Sequence, residues 1–350
     1  MSETTTVQSV IPQQGLLRNP VFDGGFVFGI AAVALASGIA VSIEPALFAP
    51  ILFLDLWLLG YHHVVSTYTR LCFDVESARK NWRLLALLPV MILAVVAAWR
   101  AGADLWLVAT VYLYWQWFHY TRQSWGVSRV YARKGNNVNH GTDRLSWGVF
   151  YGVPLWGILH RSAEQPTEFI GMGIRTLPVP MELANAVGIF MAVMLAVWMV
   201  REWQAVRRGE ATLGYVAYVT SHHLIFITGY YLVKDISHGW LVLNIWHNAQ
   251  YIGFVWLFNN MRFKERIDPK AYTLSLLSQS KNWWRYGLVC FGISSLAYAT
   301  LQSSTASLVD VAGPALLIYM AINFHHYIVD SVIWKTHKKP MQKVLDLKGA

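Results

Sequence analysis

Twelve histidines stand in the 350-residue sequence, and they are unevenly placed. Three dipeptides, His62-His63, His222-His223 and His325-His326, lie within apolar stretches, as do His119 and His247. His140, His160 and His337 fall in connections or at the ends of such stretches and read as surface residues; His238 is intermediate, at the outer edge of its stretch. Imidazole ligates iron, copper, zinc and manganese and carries protons near neutrality. An ionisable group inside hydrocarbon is costly, so by default it faces protein and marks function. Eight of them imply a metal-binding or proton-conducting interior.

Neighbours at helical spacing add oxygen donors. Gln123 follows His119 by four residues, Gln250 follows His247 by three and Asp330 follows His326 by four, so each shares a helix face with its histidine. Asp55 precedes His62 by seven residues, again on its face. A carboxylate that takes the second N–H of a bound imidazole fixes its tautomer, and Asp55 and Asp330 suit that task or direct ligation. One metal rarely takes more than four histidines, so eight imply two metal ions, iron ahead of zinc, manganese or copper, or one metal and a haem. Cys72 and Cys290, the two cysteines, stand far apart, which removes iron–sulfur and thiolate-copper sites. No Cys-x-x-Cys-His attachment is present; a non-covalent bis-histidine haem stays open as the lesser alternative.

The elements that carry these residues are apolar on every side. Of the chain, 55% is hydrophobic and 13% charged, against about 25% charged in soluble domains. Segments of about 20 apolar residues cross a bilayer, and ten are expected near 25–43, 46–66, 83–100, 104–121, 145–160, 183–200, 213–232, 239–258, 286–301 and 309–334. The fold class is therefore all-α, a polytopic helical bundle of about ten spans (eight to ten), in one domain over 25–334. A polar N-terminal segment (1–24) without signal-peptide features precedes it, and a basic tail (335–350) follows. The 17 Trp and 17 Tyr suit interfacial belts.

Charge placement tests the spans independently. The termini and the loops after even-numbered spans hold 24 of the 28 Lys and Arg, the other loops four. That asymmetry predicts both termini in the cytoplasm, the expected location being a bacterial cytoplasmic membrane. It also accounts for the net charge of +9 without a nucleic-acid partner. In this orientation the five helices bearing the eight histidines bring them to one level, roughly 12–17 Å from the inner surface.

Ligand number, paired histidines and depth resemble the membrane-embedded histidine-box di-iron enzymes: fatty-acid desaturases, alkane and sterol hydroxylases and, more loosely, the bacterial membrane carotene-cleaving dioxygenases. Those desaturases gather their histidines in boxes such as H-x-x-HH, whereas here they are spread over five spans. The resemblance implies di-iron oxygen chemistry and assigns no residue a role. The leading expectation is a di-metal oxidoreductase acting on a lipid-soluble substrate among membrane lipids, with a separate electron donor. Aromatic residues near the histidines (Tyr61, Trp115, Trp117, Tyr120, Trp246, Tyr251, Tyr327) would wall an apolar tunnel or serve helix packing. A histidine-based transporter or proton or metal pathway, and a haem-binding membrane protein, are the alternatives.

Overall fold

A computed structural model describes residues 15–135, 141, 143–303, 314–335 and 338–347; His140 and His337 lie outside them. Almost all of this is helical. Ten long helical stretches overlap the ten apolar segments: α1 (Pro20–Ile43), α2 (Pro45–Cys72), α3 (Trp82–Arg100), α4 (Trp106–Lys134), α5 (Arg144–Ala163), α6 (Met181–Arg207), α7 (Leu213–Ile227, continued by Thr228–Leu232), α8 (Ile236–Arg262), α9 (Trp283–Ser303) and α10 (Pro314–Ile333). Among the described residues the only strands are Glu168–Phe169 and Met172–Gly173, a hairpin with Phe169 opposite Met172. Its turn places Ile170 and Gly171 at positive φ, the geometry a two-residue hairpin loop demands.

Five helices are long and apolar enough to cross a membrane by length and composition: α1, α2, α3, α6 and the Leu316–Ile333 part of α10. Their outer faces suit lipid. No residue in the apolar window of α3 is buried, and Ile189 and Phe190 of α6 and Leu296 of α9 lie largely bare. Large apolar patches of this kind are rare on water-soluble monomers. The remaining long helices carry more polar residues, and in some of them these are covered by other helices. Helix α8 is the clearest case: Asn244, His247, Asn248, Gln250, Asn259 and Asn260 dilute its hydropathy, yet all are buried.

That burial follows from position, because α8 lies at the centre. On one side, α1 lays a small-residue face, Ala31, Ala34, Gly38 and Val41, against it. A Cβ at Gly38 would stand 2.5 Å from Val242 Cγ2, so the close approach needs glycine. Elsewhere α8 meets α2, α4 and α7. Helix α10 packs on α2 and α4 as well, with α3 along its outside. The helices α2, α4, α8 and α10 thereby surround one interior volume.

The ends depart from the sequence expectation in extent. Helix α1 begins at Pro20 rather than near 25; Asn19 caps it, and the Asp23 carboxylate accepts from the N–H groups of Leu17, Arg18 and Asn19 and from the Tyr131 hydroxyl. At the other end the tail is not free: Lys339–Val344 is helical, and Met341, Leu345 and Leu347 are buried in the same apolar cluster as Val130, Tyr131 and Phe258.

Candidate metal centre

Four histidines from the four surrounding helices meet: His63 of α2, His119 of α4, His247 of α8 and His326 of α10. Ring centroids stand 4.8 Å apart for His63 and His326, 5.0 Å for His119 and His326, 5.2 Å for His119 and His247, and 5.6 Å for His63 and His247. All four pairs meet edge to face, as imidazoles do when their nitrogens rather than their faces converge. Asp330 joins them, with Oδ2 3.6 Å from His326 Nε2 and 4.0 Å from His119 Nε2. Two overlapping groups, His63, His247, His326 and His119, His326, Asp330, each hold their ligand atoms within 4.8 Å of one another. Modest side-chain rotations would bring such atoms to the roughly 2.1 Å that imidazole and carboxylate ligands take around a cation.

The atoms facing the centre lack other partners. His63 Nδ1 and Nε2, His119 Nε2, His247 Nε2, His326 Nε2 and Asp330 Oδ2 are all buried without a hydrogen bond. A buried polar atom left unpaired costs about 1–3 kcal/mol, so five residues sharing this condition at one point call for an ion or ordered water. The donor set suits a metal ion: imidazole and carboxylate without thiol.

A hydrogen-bond relay sets how His326 presents itself. Tyr251 Oη donates to Asp330 Oδ1 at 2.7 Å and accepts the Trp334 Nε1–H at 3.0 Å. Thr67 Oγ1 lies 2.7 Å from Tyr251 Oη and 2.9 Å from His326 Nδ1. With the phenolic proton committed to Asp330, the Thr67 hydroxyl must donate to Tyr251, and its oxygen is then left to accept from His326 Nδ1–H. The proton sits on Nδ1 and the lone pair on Nε2, which points at the centre. Aromatic rings close two further sides: Tyr120 lies flat on His247 at 3.9 Å and Tyr327 on His119 at 4.2 Å between centroids.

No protein-family model, curated protein or solved structure matches this chain. The centre is therefore read from its own chemistry.

The other residues singled out in the sequence lie elsewhere. His62 is buried beside His63 but makes none of the ring contacts of the centre. The reason is a wide turn, Leu56–Gly60, that hydrogen-bonds in the π pattern. It adds a residue to α2, so the position returning to the face of Asp55 is eight residues on, His63, and not seven. Asp55 Oδ2 accepts from Asn244 Nδ2 of α8, and Asn244 accepts from Tyr120 Oη at 2.5 Å; Asp55 thus touches the centre only through the ring stacked on His247. His325 faces outward, its Nδ1 2.5 Å from Tyr68 Oη and its Nε2 2.6 Å from the Leu84 carbonyl of α3. His222 and His223 form a separate buried pair, with His222 stacked on Phe150 at 3.9 Å and its Nε2 3.2 Å from that residue's carbonyl oxygen. Gln250 bridges helices, accepting from Tyr218 Oη at 3.2 Å and donating to Phe26 O at 3.4 Å. His238 packs on Phe48, and His160 pairs with Glu164 at 3.5 Å.

Gln123 is different: it lines a cavity of about 290 Å³ between α4, α8 and α10 that reaches His119 and Asp330. Trp115, Tyr251 and Tyr327 also line it, whereas Trp246 packs on Phe226 and Trp117 donates to the Pro154 carbonyl at 2.9 Å. Thr67, Tyr251 and Trp334 were missed as a relay, although each stands four residues after His63, His247 or Asp330. Spacing by one turn was the signal available.

Proposed function

We propose that this chain is a membrane-embedded metal-dependent oxidoreductase acting on a lipid-soluble substrate, crossing the bilayer ten times with both termini in the cytoplasm. The observation that carries the reading is the convergence of unpartnered ligand atoms from His63, His119, His247, His326 and Asp330 at the end of a largely apolar cavity.

The geometry favours one ion over the two expected from eight histidines. His326 belongs to both ligand groups, but its Nδ1 serves Thr67, so only Nε2 is available and the groups merge around a single cation. Four imidazoles and a carboxylate suit iron, which when bound would supply one-electron chemistry toward oxygen. The chain's own contribution is clear in outline. The imidazoles and Asp330 fix the coordination, Thr67 and Tyr251 hold His326 and Asp330 in orientation, and the apolar cavity orients substrate and excludes water. Electrons come from a separate donor.

The test is metal analysis of detergent-purified protein together with oxygen uptake on a lipid-soluble substrate pool supplied with reductant. About one iron per chain, lost in His247→Ala, with uptake dependent on that iron, supports the reading; protein that is metal-free after purification and takes up no metal sinks it. A second reading, a proton pathway, draws on Asp55 Oδ1, Gln116 Oε1, Tyr319 Oη and both side-chain polar atoms of Asn248, all buried and unpartnered among the described residues. Proton uptake into proteoliposomes that is abolished by Asp55→Asn in metal-free protein would favour it.

A further inference from the structure

The cavity beside the centre has one cationic residue in its lining, Arg122, and one anionic residue, Asp330. Asp330 accepts from Tyr251 and turns its other oxygen toward His119 and His326, which leaves the guanidinium at the rim without a counter-charge in the lining. On α4 the lining residues Trp115, Phe118, His119, Arg122, Gln123 and Gly126 recur every three or four positions, so they form one face about 17 Å long. Phe118 and Arg122 are exposed, so the groove is open along that edge, and Gly126 leaves room there, with no atom within 4 Å of where a Cβ would stand.

We infer that this groove binds a single-chain amphiphile with a carboxylate head, the head at Arg122 and the chain along Trp115, Phe118 and Ile328. A guanidinium beneath an apolar chain needs a charge partner, since desolvating it alone is costly, and a carboxylate matches its fork in two parallel hydrogen bonds. The cavity volume of about 290 Å³ lies just under the roughly 300–1,000 Å³ of ligand pockets, room for one chain and not two. Arg122 follows His119 by three residues, about 4.5 Å along the helix. The carbons presented to the centre are therefore those near the head, which predicts attack close to the carboxylate and not at the far end; this part rests on the oxidoreductase reading, while the binding part does not.

The experiment uses purified full-length protein, stripped with chelator, in discs of zwitterionic lipid. Binding of radiolabelled hexadecanoic acid is compared with binding of hexadecanol in wild type, Arg122→Gln, Arg122→Lys and Gly126→Leu. The acid should bind about tenfold tighter than the alcohol. Arg122→Gln should remove that preference without changing alcohol binding, Arg122→Lys should restore part of it, and Gly126→Leu should weaken both ligands. Equal binding of acid and alcohol by wild type, or an unchanged preference in Arg122→Gln, overturns the proposal. Displacement of the acid by an equal concentration of phosphatidylglycerol overturns the single-chain assignment. Because metal is absent throughout, acid-selective binding by a protein that later takes up no metal would refute the oxidoreductase reading alone, and metal loading with no acid preference would refute this one alone.

Discussion

The His63, His119, His247, His326 group and the His222, His223 pair are buried alike, every ring 7% exposed or less, and the sequence placed both at one membrane depth. They differ in what the rings face. In the pair, one imidazole lies flat on Phe150 and borrows its carbonyl oxygen, while the other meets Trp198 edge-on. Nitrogens are left over there too, His222 Nδ1 and both of His223, but two residues without a carboxylate make a poor cation site. In the group, four rings and Asp330 hold free atoms in two overlapping sets that share His326, each set within 4.8 Å. Burial alone therefore does not single out a ligand. Convergence with a carboxylate, and a partner that fixes the tautomer, is what sets the four-histidine group apart.

The largest effect expected is the contrast between these two places. His247→Ala or His326→Ala should weaken metal binding by at least about 100-fold, beyond what outer partners typically contribute. His222→Ala should keep the metal and lose about 2–4 kcal/mol of stability from the cavity left against Phe150. Metal content and thermal unfolding of the three purified variants decide it. Equal metal loss in His222→Ala and His247→Ala would make the two groups one functional unit and undo the comparison.

Asp330→Asn comes next. The amide keeps the shape and an oxygen that can accept from the Tyr251 hydroxyl, but it removes the charge and puts an NH2 donor where Asp330 Oδ2 stood free. Metal affinity or turnover should fall about 10–100-fold with little change in melting temperature. Wild-type values for both would take Asp330 out of the centre. Tyr251→Phe leaves the carboxylate in place and removes its donor together with the acceptor of Trp334 Nε1–H and the Thr67 hydroxyl, so a loss of about tenfold is expected at the lower edge of that range.

Much of this was legible in the sequence, and the reasons for what was not are geometric. Ten apolar segments and the pairing of His326 with Asp330 follow from composition and a four-residue spacing. Charge placement yields an expected depth along each helix, but direction around the helix is left open. Adjacent residues of an α-helix point about 100° apart, so the two rings of an HH dipeptide start out toward different sides of the helix. His325 and His326 illustrate it, one on the Leu84 carbonyl and one in the centre. Choosing His63 over His62 was beyond simple periodicity, because the wide turn Leu56–Gly60 shifts the register by one. The His222, His223 pair packs against Phe150, apart from the four-histidine group, a separation that depth along the helix does not reveal.

The smallest effect probes the relay itself, through neighbours with different jobs. Thr67 Oγ1 stands between Tyr251 Oη and His326 Nδ1, whereas the hydroxyl of Ser66 donates at 3.0 Å to the backbone carbonyl of His62. Thr67→Val is nearly isosteric and removes only the bridge. It leaves His326 Nδ1–H and one Tyr251 lone pair without a partner, a cost of about 1–3 kcal/mol if both stay buried and unpaired. The proton is then free to move to Nε2, which would set ligand and proton in competition for the same atom. A metal affinity lowered by a few-fold up to about tenfold is expected, with the loss recovered in Thr67→Ser, which keeps the hydroxyl. Ser66→Ala should leave metal affinity unchanged, because a helix carbonyl tolerates losing its extra donor. Titration of chelated iron into the three variants measures all of this without reference to turnover. If Thr67→Val bound iron like wild type, or if Ser66→Ala weakened it equally, the tautomer of His326 would not be set by Thr67, and the centre would hold its imidazole by packing alone.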